Sequence, residues 1–208
     1  MPNYCFNQIN INGKQEDITA FLNKIESDAL DRGVERGFFD EAVFTFATFV
    51  PAPDNVLTGN TGHGTFVRDG DSWVMSGKTR DQLDAEGVEY YYGSYGTSAD
   101  GTVYFADDMK RLGLVDWYSW NIDNWGTKWD AFDVEIDRHD DYVSIHFHTA
   151  WSPAVPVALA MQEQHPELDI QMYFEEPGMS FQGEVTSDGN VYYEDYEDPE
   201  EEEEEVYG

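Results

Sequence analysis

Hydrophobic and polar positions change period several times along this 208-residue chain, and each change marks an element. Tyr4–Asn12 alternates, with Ile9 and Ile11 apolar and Asn7, Gln8, Asn10 and Asn12 polar, and it ends at Gly13, as a half-buried strand does. From Glu16 the spacing becomes helical through Ile18, Phe21, Leu22, Ile25 and Ala29, with Gly33 and Gly37 closing the helix and its exit loop. Phe38–Val50 reads as a strand with Phe44, Phe46 and Thr48 on one face, and Pro51 and Pro53 stop it because proline cannot donate to a ladder.

Residues 54–106 differ in texture. Glycines crowd Gly59–Gly64, which reads as loop, Thr79–Gly87 as a short helix or a turn, and Tyr90, Tyr91, Tyr92 and Tyr95 cluster. The stretch reads as a Gly/Tyr-rich insertion, because an unstructured loop of this length is unusual inside a compact domain. Asp107–Asn124 then predicts one helix with a stripe of Met109, Leu112, Val115, Tyr118 and Ile122, stopped by Gly126 as the left-handed residue. Ala131–Asp137 and Tyr142–Thr149 are strands, Ser152 caps a helix running to about His165, and Leu168–Phe174 is a further strand. Pro177 and Gly178 suit the centre of a type II turn, a strand carries Phe181 and Val185, and Asp188–Gly189 signals a hairpin to Val191–Tyr193. Helices alternating with antiparallel hairpins predict an α+β class, with helices stacked on one face of a sheet and a split β-α-β arrangement as the simplest topology. The expected division is one domain over residues 1–193 and an acidic, disordered tail over 194–208.

Aromatic residues concentrate where this order turns on itself. Five of the six tryptophans fall between Trp117 and Trp151. Trp117, Trp120, Trp125, Trp129 and Trp151 are expected to pack inward as a structural aromatic centre, since aromatics at helical spacing bury large areas. The competing reading is a ligand platform with Asn121, Asp123 and Lys128 as polar handles.

Charge sharpens the picture. There are 43 acids against 11 bases, a net charge of −32. Without the ten acids of Glu194–Glu205 the remainder still holds 33 acids against 11 bases, and residues 139–208 contain 19 acids and no Lys or Arg. Such a surface repels nucleic-acid phosphates and favours encounter with basic partners. Simple solubility and a salt-loving source would produce the same balance. Cys5, alone, can form no internal disulfide and reads as a small buried thiol in a reducing compartment. The N-terminus lacks the basic and apolar regions of a signal peptide, and no apolar run reaches membrane-span length, so a cytoplasmic location is expected.

Several short motifs carry a resemblance: Asn3–Cys5, Phe49–Pro51, Trp120 with Asn124–Trp129, Thr149–Pro153, and Glu175, Gly178, Phe181 and Gly183. Together they resemble the YubB-type ferredoxin-like domains of phages and plasmids, over about residues 3–186. The resemblance implies a ferredoxin-like antiparallel sheet and a mobile-element origin, and it implies no activity.

No catalytic motif emerges. His146 and His148 share a strand face and, with Asp140 or Glu175, would make a zinc site, but two histidines without a third defined ligand favour an ordinary polar face. Gly59–Gly64 lacks the phosphate-loop pattern, and the Asp-rich turns at Asp100 and Asp188 lack the calcium-loop ligand set. No catalytic residue, metal or cofactor is therefore expected. The expected function is that of a non-catalytic acidic protein of a phage or plasmid that occupies a basic, nucleic-acid-binding surface of a host or defence protein, without itself binding nucleic acid or membrane. Asp137, Asp140, Asp141, Glu175, Glu176, Glu184, Asp188, Glu194 and Asp195 are the expected partner-binding residues. The alternatives are a small-molecule or nucleotide binder or hydrolase at the tryptophan-lined region, and a structural protein whose charge prevents aggregation.

Overall fold

A computed structural model describes residues 3–33, 44–139 and 141–196. In chain order the elements are β1 (Tyr4–Asn12), α1 (Gln15–Asp31), β2 (Val56–Leu57), β3 (Thr61–Asp69), β4 (Ser72–Met75), α2 (Arg80–Glu86), β5 (Tyr90–Thr97), β6 (Val103–Phe105) and α3 (Ala106–Leu112). They continue with β7 (Val115–Asp116), α4 (Trp117–Trp125), β8 (Phe132–Arg138), β9 (Tyr142–Ala150), α5 (Val155–Gln164), β10 (Asp169–Glu176), β11 (Phe181–Val185) and β12 (Val191–Asp195). The fold is mixed α+β, and it divides into two compact units, residues 1–51 with 121–208 and residues 52–120.

The first unit is built on a six-stranded antiparallel sheet of order β12-β11-β10-β1-β9-β8. Chain order β1-α1-β8-β9-α5-β10 with spatial order β10-β1-β9-β8 is a ferredoxin-like arrangement: β1 and β8 run the same way with β9 between them. The β11–β12 hairpin extends the sheet beyond β10. Alternation sorts the side chains. Cys5, Asn7, Ile9 and Ile11 of β1, Val143, Ile145 and Phe147 of β9, and Ile170, Met172 and Phe174 of β10 are buried on one face. Ile18, Phe21, Ile25 and Ala29 of α1 and Val157, Ala158 and Met161 of α5 are buried with them. Buried Asn7 joins three elements, donating to Cys5 O at 3.0 Å and Thr149 Oγ1 at 2.8 Å while its Oδ1 accepts from Ala154 N at 3.4 Å.

The second unit has a four-stranded antiparallel sheet, β4-β3-β5-β6, and a short parallel pair, β2-β7. Phe66 is its ring centre, meeting Tyr95 at 4.8 Å and Phe105 at 5.2 Å, and Leu83 of α2 is buried. Thr79 and Gln82 form a capping box that starts α2, so residues 80–86 are a helix.

Several expectations are corrected here. Gly59–Gly64 is not simply loop: β3 begins at Thr61 and pairs with β5, and Gly64 lies against the Phe66 and Tyr95 rings, where a side chain would crowd. The single helix over 107–124 is two, because Gly113 takes a left-handed φ of +68 that ends α3 and the Asp116 carboxylate accepts Ser119 N at 3.0 Å to start α4. Where a strand over 38–50 is expected, the described part holds a 3-10 turn, Phe46–Thr48, and residues 34–43 lie outside the described residues. Tertiary contacts decide this: Asp130 accepts from the Thr45 hydroxyl and from Phe46 N at 2.8 Å, while the Phe44 and Phe46 rings pack on Phe147 at 5.5 and 5.6 Å. Ser152 does not cap α5; its hydroxyl donates to Gly126 O at 2.6 Å. Pro177–Met179 is a 3-10 turn rather than type II, with Ser180 carrying the positive φ of 56. Glu194 and Asp195 belong to β12, not to a tail, and residues 197–208 lie outside the described residues.

Two outcomes test this packing. Gly126 has φ +80, and an added Cβ there would lie 2.9 Å from Pro156 Cδ and 3.0 Å from Pro153 O. Gly126→Ala is expected to lower stability by about 2 kcal/mol or more in urea unfolding, from left-handed strain and this crowding together. Burial raises the Asp130 carboxyl above the usual range, against hydrogen bonds from Phe46, Thr45 and Ala131 that lower it. A raised folded-state value contributes stability below the unfolded value, lost as pH rises through the folded one. Asp130→Asn, which carries no charge to desolvate, should therefore gain in Tm relative to the parent as pH is raised from about 4 to neutral. A constant difference across that range would contradict the assignment.

Candidate functional site

In the first unit, the sheet face opposite the buried one is the candidate site. Strand register lines its side chains up in rows. One row runs Phe132, His148, Phe6, Glu175, Gln182, Glu194 across all six strands, and the next runs Glu135, His146, Gln8, Tyr173, Glu184, Tyr192. A third adds Asp137, Ser144, Asn10 and Gln171. The two full rows hold four carboxylates and no Lys or Arg.

Its two ends differ in chemistry. Toward β8 and β9 the rings form a path: Trp151 stacks on Trp129 at 6.5 Å, Trp129 meets Phe132 at 6.5 Å, Phe132 stacks on His148 at 5.8 Å, and Phe6 lies 5.8 Å from His148 and 6.0 Å from His146. The Lys128 ammonium sits over both indoles, at 4.9 Å from Trp129 and 5.2 Å from Trp151. Toward β10, β11 and β12 the face opens into a groove of about 490 Å³ lined by Phe6, Gln8, Tyr173, Glu175, Gln182, Glu184, Tyr192 and Glu194, among others. Gln182 Nε2 donates to Glu194 Oε1 at 2.9 Å.

The expected partner-binding residues separate accordingly. Glu175, Glu184 and Glu194 line the groove, and Asp137 stands on the same face beside His146, with Nε2 and Oδ2 3.6 Å apart. Asp141 is exposed in the turn before β9, and Asp195 is exposed at the end of β12. Asp140 lies outside the described residues. Asp188 is occupied in its turn, accepting from Thr186 Oγ1 at 2.5 Å and Asn190 Nδ2 at 2.8 Å, and these bonds hold its carboxyl below the usual range. Glu176 is corrected outright: it is 1% exposed on the opposite face, where its carboxylate accepts from Met179 N and caps the 3-10 turn. Glu135, Tyr173 and Tyr192 were missed by the sequence reading, although their parity in each strand matches Asp137, Glu175 and Glu194.

The tryptophans also divide. Trp120 and Trp125 are buried, and Trp125 Nε1 donates to Val50 O at 2.9 Å. Trp117 is half-buried, while Trp129 and Trp151 are 38% and 36% exposed, so inward packing is corrected for this last pair. Asn121 is no free handle: it is buried and donates to Lys128 O at 2.8 Å. His146 and His148 face different aspartates, Asp137 and Asp133, and among the described residues no three His, Cys, Asp or Glu side chains converge as metal ligands.

Fold and face together define a ferredoxin-like α+β domain with one acidic, aromatic sheet face. A family model for the ferredoxin-like domain in Api92-like protein matches residues 125–207. The crystal structure of protein api92 from Yersinia pseudotuberculosis is similar with a TM-score of 0.44 and 11% identity, covering 95% of this chain and 99% of that one. No curated protein matches. Among the described residues no helix is long and apolar enough to cross a membrane.

Cys5 lies beneath this face on the buried side, and burial pushes its thiol up to about 12 despite the Thr149 hydrogen bond. A thiol reagent such as DTNB should leave the native protein unmodified at neutral pH and titrate one thiol after denaturation. Rapid native modification would show the helix-covered face to be accessible.

Proposed function

We propose that this chain is a non-catalytic binding protein of a phage or plasmid whose open sheet face occupies the basic, nucleic-acid-binding surface of a host or defence protein in the cytoplasm. One observation carries the reading: Glu135, Asp137, Glu175, Glu184 and Glu194 project from four strands onto one face, and no Lys or Arg stands in the registered rows between them. Glu175 and Glu194 stand two strands apart, about 9.6 Å, and Glu135 and Asp137 two positions apart along one strand, about 6.8 Å, so the face presents separated negative charges without an intervening cation in the rows. A protein groove built to meet phosphates would meet an array of negative charges here, and the tyrosines and amides between the acids supply contact area and hydrogen bonds. The motif resemblance to YubB-type domains supports the mobile-element origin.

The test is competition. The protein immobilised in low salt is expected to retain basic DNA-binding proteins from a host lysate, to release them as salt rises, and to lose them to added duplex DNA. Glu135→Lys, Glu175→Lys and Glu184→Lys combined, with circular dichroism showing the fold intact, should weaken retention by about tenfold or more. Retention unchanged in that variant, or indifferent to duplex DNA, would count against this function.

A further inference from the structure

We propose, resting on the reading above, that the groove between β1, β10, β11 and β12 receives a single arginine side chain from the partner. The register builds a small array there. Tyr173, Glu184 and Tyr192 stand side by side on adjacent strands, and the neighbouring row places Glu175, Gln182 and Glu194 beside them. Adjacent strands are about 4.8 Å apart, and successive positions on one face about 6.8 Å, so three carboxylates surround one spot that two phenol rings flank. Gln182 fixes Glu194 through its 2.9 Å bond, while among the described residues the carboxylates of Glu175 and Glu184 have no side-chain donor or cation of their own. The space, about 490 Å³, is open to solvent and of a size that admits one extended side chain with its flanking backbone.

Charge complementarity selects the occupant. A second copy of this chain, at −32, is repelled, and so is the chain's own acidic run, which follows β12 directly. Among cationic groups the guanidinium fits best. Its flat faces stack on tyrosine while its edge presents donors in a fork that matches carboxylate pairs, whereas an ammonium is a compact, strongly hydrated charge. Alternating rings and acids on one face serve a flat cation, and a phosphate-bearing ligand would meet three like charges.

The experiment titrates the full chain at low salt with N-acetyl-arginine methylamide and, separately, with its lysine counterpart, read by calorimetry and by amide chemical shifts. The arginine compound is expected to bind about tenfold tighter than the lysine one and to shift the amides of residues 173, 184 and 192. Glu184→Gln, nearly isosteric, should weaken arginine binding about tenfold, and Tyr173→Ala with Tyr192→Ala should do the same, while Glu16→Gln on exposed α1 leaves it unchanged. Equal binding of the two compounds, or equal losses in Glu16→Gln and Glu184→Gln, would overturn the arginine site. A longer arginine-rich peptide separates the two levels. If charge reversal at Glu135 and Asp137 abolishes its binding while Glu184→Gln does not, the groove assignment falls and the acidic-face function stands. If no such peptide binds the parent protein, both fall.

Discussion

The first unit depends on β1 being paired along both edges. Tyr4–Asn12 runs beside β9 from Ala150 to Tyr142, and Phe6–Asn12 runs beside β10 from Glu175 to Asp169, each without interruption. Side chains on a strand alternate, so a slip of one residue would carry Ile9 and Ile11 to the open face and drive Gln8 and Asn10 into the core. Asn7 adds a polar check on that register. Its amide meets Thr149 and its oxygen meets Ala154 only if β1, β9 and the start of α5 stand in their observed places, and an unpaired buried amide would be costly. One registered strand thus sets both the apolar layer and the pattern of the opposite surface.

That surface gathers like charges without crowding them. Glu175 and Glu194 stand apart across Gln182, and Glu184 stands between two tyrosines, so no two carboxylates in these rows are direct cross-strand neighbours. The repulsion that remains is screened at ordinary salt, which lets the face persist in a stable domain. At its other end the Lys128 ammonium sits over the Trp129 and Trp151 rings. Aromatic area and negative charge therefore occupy the same face, a combination suited to cationic partners and poorly suited to phosphates.

Glu175 and Glu176 show how neighbours in sequence acquire unrelated roles. One lines the groove; the other is buried and holds the turn to β11 through Met179 N. Both read alike as acids in a charged stretch, and only strand parity distinguishes them. Trp125 and Trp129 divide the same way. The first is fixed in the interior by Val50 O and the Phe46 ring, and the second is half exposed beside Trp151.

Elements set by local periodicity were legible in the amino-acid order: β1, α1, β9 and β10 follow from alternation and helical spacing, and Gly126 from the need for a left-handed stop. The acidic, cation-poor character of the C-terminal third was equally plain, since charge is additive and needs no fold to be counted. Tertiary structure decided the rest. Phe46–Thr48 became a turn because Asp130, more than eighty residues away, holds it; Gly113 divided a helix that periodicity alone would continue; and scattered acids became a face only when six strands paired. Those outcomes depend on partners distant along the chain, and local pattern carries no information about distance in space.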